Sequence, residues 1–270
     1  MDRRTELREF LRSRRTRLRP EDFGLPSGTR RRVAGLRREE LAQLAGISAD
    51  YYIRIEQGRA TQLSDSVFDA VCNTLRLTAD ERTHLRNLLA PRPGKAPVGA
   101  LRSSLSQTVS AFEGGPAYLI DRTMEVLVWN RLAAALFAAV VSQPLGQRNV
   151  ARFVFLDETA KSVFVDWPMV ARSTTAFLRL ATGQHPDDAR LSELVGELTD
   201  RSEEFRLLWS EQLVADRGHG VKELRHPAVG TLTLDFETLR DATGHVLMVF
   251  TAAPGSASEM ALRMLEPAEV

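Results

Sequence analysis

Residues 49–57, ADYYIRIEQ, place side chains of different hydrogen-bonding chemistry on one face of a predicted helix. Arg54 offers a planar fork of donors that fits the two acceptors on a guanine edge, and Asp50 can accept from a cytosine amino group. Ala49 offers apolar contact, as to a thymine methyl, and Tyr51 can face the same groove. The sequence leaves two structural alternatives: Asp50 and Arg54 can pair along the helix, and Tyr51 can pack against a loop.

A short helix and a glycine precede this face and would set its angle. In LRREELAQLAGISADYYIRIEQG (36–58), the small residue Ala42 stands four positions before Gly46, which suits a tight turn between helices. Ser48 can cap the second helix. The inward positions of both helices are apolar: Leu41, Ala45, Ile47, Tyr52 and Ile55. This spacing fits a helix-turn-helix that enters DNA and also a helical hairpin inside a core.

The charge distribution favours the first alternative. Residues 1–90 contain 18 Arg, no Lys and 13 acidic residues, net +5, whereas residues 91–270 carry a net charge of −4. A basic segment joined to a mildly acidic one is typical of a polyanion-binding module with a second domain, although a solvated arginine-rich helix face gives the same count.

Helical patterns fill the first 90 residues. Apolar residues recur at helical spacing over 5–18, and Ser64 and Thr78 with Glu81 have the types and positions of helix caps. With the two helices around Gly46, these predict an all-α domain of five helices over residues 1–90. APRPGKAPVG (90–99) is rich in proline and glycine, so we expect a linker over 91–104.

GLRREELAQLAGISADYYIRIEQGR closely resembles the helix-turn-helix of the Cro/CI-like, xenobiotic-response-element-type repressors, in the form common in actinobacterial regulators. The resemblance covers residues 5–89, and Tyr52 stands where a β-branched residue is more usual. It implies a homodimer on a double-stranded DNA operator. The expected DNA-contacting residues are Arg31, Arg32, Arg37 and Arg38 for phosphates, and Ser48, Ala49, Asp50, Tyr51 and Arg54 at the start of the second helix.

The remaining chain mixes strands and helices. PAYLI and MEVLVW (116–129), GVKELRHPAVGTLTLDFETL (220–239) and HVLMVF (245–250) predict strands, and a helical stretch rich in large aromatic rings lies between them. Asn130 can cap the first helix after the strands. Strands at both ends of a helical insertion predict an α+β domain with an antiparallel sheet over residues 105–270.

This domain resembles the MmyB-like, PAS-type ligand-binding domain. The residues that carry the resemblance include VWN (128–130), RNVARFVFLD (148–157), SEEFRLLW (202–209) and HPAVGTLTLDFETL (226–239). It implies an apolar pocket for a fatty-acid-like or antibiotic-signal-like effector and no bound cofactor; Phe236 departs from the Tyr that is common there. The expected ligand-binding residues are Trp129, Arg148, Asn149, Phe153, Phe155, Trp167, Phe177, Phe205, Trp209 and Phe236.

Several alternatives stay open at this stage. A pocket for an aliphatic ligand has the same lining as a core, so any one ring can serve either purpose. Arg148 with Asn149 can meet a carboxylate, or can form a cap or a surface salt bridge. The domain can also be a ligand-free dimerisation or docking module. The histidines lack metal-site or triad spacing, so we expect no enzyme. No signal peptide or membrane span is evident, and Cys72 fits a core position, so we expect a cytoplasmic protein.

Overall fold

The computed structural model describes residues 3–26, 35–60, 62–89, 101–144, 146–214, 218–241 and 243–265. The chain forms two compact units. The first comprises residues 1–95 with 182–188 and 210–215, and the second comprises 96–181, 189–209 and 216–270. Residues 91–100 of the expected linker, and Arg31 and Arg32, lie outside the described residues.

The amino-terminal part of the first unit is helical, as the sequence predicts. Its helices are α1 (Arg3–Arg17), α2 (Arg38–Leu44), α3 (Ala49–Glu56), α4 (Asp65–Thr74) and α5 (Ala79–Leu89), with one 3-10 turn at Pro20–Phe23. The predicted caps form: the Ser64 hydroxyl accepts from the Val67 amide, and Thr78 and Glu81 exchange two hydrogen bonds. These bonds satisfy amides that the first turn of a helix otherwise leaves unpaired.

The second unit is built around one antiparallel sheet. Its strands are β1 (Ala117–Ile120), β2 (Val126–Trp129), β3 (His219–His226), β4 (Gly230–Arg240) and β5 (Val246–Thr251), in the order β2-β1-β5-β4-β3. The two strand groups of the sequence therefore meet where β1 pairs with β5. This arrangement confirms the predicted α+β domain with a helical insertion.

Helices fill the segment between β2 and β3. They are α7 (Arg131–Leu136), α8 (Ala138–Val141), α9 (Val150–Leu156), α10 (Ala160–Val163), α11 (Trp167–Gln184), α12 (Ala189–Arg201) and α13 (Glu203–Ser210). Side chains from these helices and from one face of the sheet form a single apolar core, and α14 (Ala257–Leu265) adds Leu262 to it. We call the sheet face that contributes to this core the inner face.

The opposite face of β1, β2 and β5 is covered by one further helix. α6 (Ser103–Ala111) places Val109 against Ala117 and Leu119, with Phe112 packed beside them. The sequence analysis assigns the start of this helix to the linker. Because α6 is short, its apolar residues gain burial only through the sheet, which its own periodicity does not reveal.

Candidate functional site

Local contacts fix the position of α3 in the first unit. The Ser48 hydroxyl accepts from the Tyr51 amide at 3.1 Å, which caps the helix. Gly46 has φ +67°, a conformation that costs free energy for residues with a Cβ. Tyr52 and Ile55 are fully buried. The predicted inward residues of α3 thus hold the helix, and its other face is presented outward.

The outward face of α3 carries the expected base-reading side chains. Asp50 and Arg54 are exposed, and Ala49 and Tyr51 are half-buried. Within the described residues, the side chains of Asp50 and Arg54 form no hydrogen bond or ion pair with each other or with any neighbour. The alternative of an intrahelical Asp50–Arg54 pair is therefore absent from the structure, and both groups are available to a partner.

A buried ion-pair network supports this surface from behind. The carboxylate of Glu56, which is fully buried, accepts from Arg15 Nε at 3.2 Å and from Arg38 Nη2 at 2.7 Å. Arg15 also donates to the Leu36 carbonyl oxygen. The network ties α3 to α1 and to the start of α2. The hydrogen bond to Glu56 raises the pKa of Arg38.

The sequence analysis assigns Arg37 and Arg38 to phosphate contact and does not identify Glu56. Arg37 is exposed at the start of α2, where its amide donates to Glu40 at 2.7 Å. The Arg38 side chain is 43% exposed, so it holds Glu56 and still reaches solvent. One signal for Glu56 exists in the sequence: an acidic residue directly follows the inward Ile55, at the end of a helix whose neighbours are arginine-rich.

The expected ligand-binding rings fall into separate groups in the second unit. Phe155 contacts Trp167 and Phe205 edge-on, at centroid distances of 6.2 and 5.0 Å, and Phe205 stacks on Trp209 at 5.3 Å. Phe153 meets Phe164 at 6.0 Å. Phe155, Trp167, Phe205 and Trp209 thus connect α9, α11 and α13 into one aromatic cluster, whereas Phe153 and Phe164 form a separate pair.

Three other rings of the expected set lie apart from that cluster. Phe236 is on the inner face, 6.3 Å from Phe250, and Phe177 lies under the Arg240 guanidinium. Trp129 is half-buried, and the Arg148 guanidinium stacks over its ring at 4.8 Å. The structure therefore brings four of the expected rings together and leaves Phe153, Phe177, Phe236 and Trp129 with other neighbours.

Comparison with protein families decides the class of the protein. A model described as MmyB-like transcription regulator ligand binding domain matches residues 101–265, more than half of the chain. The chain belongs to the MmyB-like transcription regulators. A second model, described as Helix-turn-helix domain, matches residues 6–85. No curated protein matches the chain.

The two matches give each unit of this regulator a role. The helix-turn-helix domain contains α2 and α3, so the exposed face of α3 belongs to a DNA-binding element. The ligand-binding domain begins just before α6 and ends with α14. The protein is a DNA-binding transcription regulator with a domain for a small-molecule ligand.

The two polar residues expected in the regulator's ligand site make internal contacts. Asn149 is buried; its side-chain oxygen accepts from the amides of Ala151 and Arg152, and its amide donates to the Thr123 carbonyl oxygen at 2.7 Å. Arg148 Nε donates to the Gln143 carbonyl oxygen at 2.6 Å. Asn149 therefore caps α9, the alternative that the sequence left open.

A cleft of about 700 Å³ opens beside these residues. Asn149 and Phe153, of the expected set, line it together with polar residues, and the Arg152 guanidinium crosses it to Glu197 at 2.8 Å. Its lining is more polar than that of the apolar pocket implied by the family resemblance. The inner face of the sheet, not this cleft, carries the concentration of apolar and aromatic side chains.

Membrane and metal sites receive no support from the described residues. Within them, no helix is both long and apolar enough to cross a membrane. The same residues contain no group of three or more His, Cys, Asp or Glu side chains placed to hold a metal ion. Cys72, the single cysteine, is buried, and burial raises its pKa to about 11, which keeps the thiol protonated.

Proposed function

We propose that this regulator is a homodimer that reads a DNA operator through α3 and responds to a small lipophilic ligand, of the fatty-acid-like or antibiotic-signal-like class. The observation that carries the DNA-reading part of the proposal is the pair of exposed, unpartnered side chains Asp50 and Arg54 on a helix that a cap and a buried ion-pair network hold in place.

The DNA-binding surface divides into positioning and reading groups. Arg37 and Arg38 lie at the start of α2 and can contact phosphates, which gives affinity without sequence preference. Arg31 and Arg32 are proposed for the same task. Asp50 and Arg54, with Ala49 and Tyr51 beside them and Ser48 at the helix start, are the proposed base-reading groups in the major groove.

The lipophilic class of ligand is supported by the aromatic content of the second unit. Trp129, Phe155, Phe177, Trp167 and Trp209 are only partly buried, so these rings retain surface that a ligand can cover. Burial of apolar ligand surface against aromatic side chains is a common basis of affinity in small-molecule sites. Phe153, Phe205 and Phe236 are more completely buried.

DNA reading is tested with a sequence selected from a random duplex pool by the wild-type protein. Arg54→Ala is expected to bind the selected duplex about 10- to 100-fold more weakly, in line with the loss of one bidentate base contact, with little change on an unrelated duplex. Arg131→Ala, an exposed arginine at the start of α7, is the matched control. Equal losses on both duplexes would assign Arg54 to phosphate contact and contradict base reading.

Ligand and dimer are tested by native mass spectrometry of the full chain purified from a heterologous host. We expect twice the chain mass together with a lipid-like adduct of a few hundred daltons that leaves on denaturation. A monomer mass would contradict the homodimer. Bare polypeptide at the dimer mass, together with no binding of added long-chain carboxylates or alcohols, would contradict the lipophilic ligand and favour a ligand-free dimerisation module.

A further inference from the structure

One lysine lies on the inner face of the sheet among aromatic rings. In the β3–β4 register, Lys222 stands opposite Leu234, and Gly220 stands opposite Phe236. Residues opposite each other, and those two apart on one strand, share a face of a sheet. Lys222 therefore projects to the same side as Leu224, Leu234 and Phe236, all of which are buried in the core of this unit.

The ammonium group of Lys222 contacts aromatic faces. Its Nζ is 4.5 Å from the centroid of the Phe236 ring and 5.6 Å from that of Phe250. Aromatic faces attract a cation but accept its hydrogen bonds poorly, so they only partly replace the water that the ammonium loses. Within the described residues, Lys222 forms no hydrogen bond and no ion pair.

Burial alone accounts for the pKa of this lysine. It lowers the pKa of Lys222 to about 8, and no neighbouring charge contributes to the shift. A buried carboxylate partner would raise the pKa instead. Even so, Lys222 as a residue is only half-buried, so part of its side-chain surface stays accessible. At neutral pH the inner face thus holds a cation that no protein anion neutralises.

A second polar group of the same face also lacks a protein partner. The Tyr118 ring packs against Phe250 at 5.8 Å and against Phe137 at 5.4 Å. Its hydroxyl makes no hydrogen bond within the described residues, and burial raises its pKa, so it stays a protonated donor. Phe250 lies next to both Tyr118 and Lys222. Two hydrogen-bond donors therefore flank one aromatic ring, without an acceptor from the protein.

We propose that Lys222, assisted by Tyr118, binds the anionic head group of the ligand, and that this regulator selects a carboxylate with an apolar tail over a neutral molecule of the same shape. The proposal rests on the lipophilic ligand proposed above and adds the head group and its anchor. A carboxylate bound at Lys222 would accept from the ammonium and neutralise it, and charge-assisted hydrogen bonds are the stronger ones. The Tyr118 hydroxyl adds a second donor on the same face of the sheet.

Lys222 is preferred to Arg148 as the anchor because their surroundings differ. The Arg148 guanidinium already donates to the Gln143 carbonyl oxygen and stacks on Trp129, and Asn149 is used as a cap. Lys222 has no such partner, and it stands on the aromatic face that an apolar tail would contact. A desolvated and unpaired charge gains more from a ligand anion than one that is already hydrogen-bonded.

The test compares decanoate with 1-decanol by isothermal titration calorimetry on the full chain at pH 7. Wild-type protein is expected to bind decanoate at least tenfold more tightly than decanol. Lys222→Met should lose this preference and retain decanol affinity within about threefold. Arg225→Met is the matched control, because Arg225 lies on the same strand, is exposed and projects to the opposite face; it should keep the full preference.

The outcomes separate the two proposals. If wild type binds both molecules equally, or if folded Lys222→Met still prefers decanoate, the anchor proposal is wrong and the lipophilic ligand stands. If wild type binds neither, both proposals fail. Tyr118→Phe gives an independent check, since it removes one donor and leaves the ring contacts; it should reduce decanoate affinity severalfold without changing that for decanol.

Discussion

At the residue scale, Glu56 is a fully buried charged group of the DNA-binding unit. Its carboxylate is fully buried between Arg15 and Arg38, and the Arg15 side chain is only 6% exposed. Glu56→Gln leaves a buried guanidinium without its anion, so we expect a loss of about 3 kcal/mol in the free energy of unfolding, measured in urea. Glu204→Gln, which removes an exposed pair with Lys161, should cost less than about 1 kcal/mol. Similar losses would contradict a special role for Glu56.

Removal of the Lys222 charge is expected to raise the free energy of unfolding, whereas removal of the Glu56 charge lowers it. The pKa of Lys222 in the folded protein is about 8, below the 10.5 that is ordinary for lysine, so between these pH values the unfolded chain binds more protons than the folded one. The free energy of unfolding of wild type should therefore rise with pH across that window. Lys222→Met should lack this rise and be more stable than wild type by about 1–3 kcal/mol at pH 7. A destabilised Lys222→Met protein would show that the lysine is structural.

At the scale of elements, helix starts are the features that the sequence predicts best. Ser48, Ser64 and Asn130 cap the helices that follow them, because a cap needs only its own side chain and amides two or three residues ahead. Elements that depend on distant surfaces are predicted less well. The start of α6 falls within the expected linker, since Val109 is buried only by β1 and its neighbours.

The candidate sites divide in the same way. The outward face of α3 follows from local periodicity, and Asp50 and Arg54 are exposed on it. The ligand-binding set does not, because rings that line a pocket and rings that fill a core have the same composition. The sequence does not single out Lys222 for a related reason. In GVKELR it is one of several charged residues of a strand, and each of them could be solvated. Only the register opposite Leu234 shows which face it shares.

Asn149 offers a prediction at the scale of elements. It accepts two amide hydrogen bonds at the start of α9 and donates one to the Thr123 carbonyl oxygen. Asn149→Ala should lower the free energy of unfolding by about 2 kcal/mol, because a buried carbonyl and two amides lose their partner. Ser256→Ala, which removes a single bond to the Glu259 amide at the start of α14, should cost about half as much. Equal losses in the free energy of unfolding for the two variants, measured in urea, would show that the cap of α9 contributes no more stability than that of α14.

At the scale of the whole molecule, positive and negative net charge lie in different parts of the chain. Residues 1–90 carry a net charge of +5, which suits a polyanion, and the remaining residues carry −4, which disfavours it. The one cation proposed for ligand binding, Lys222, is shielded among rings and adds little to the external field. The groups proposed for DNA binding and for ligand binding are therefore different, and we expect that each affinity can be altered without removing the other.

This separation allows a test of regulation in the full-length protein. A ligand regulates DNA binding only if it binds the DNA-competent and incompetent states with different affinities. If decanoate changes affinity for the selected duplex by a given factor, the duplex must change affinity for decanoate by the same factor. Fluorescence anisotropy measures the effect of decanoate on duplex affinity, and calorimetry measures the effect of the duplex on decanoate affinity. We expect a factor between about 5 and 150.

Two variants should separate the two functions. Lys222→Met should bring the factor measured with decanoate close to one while leaving duplex affinity without ligand unchanged. Arg54→Ala should weaken duplex binding while keeping the factor. A factor of one in wild type, with decanoate bound, would show that this carboxylate occupies the domain without acting as an effector.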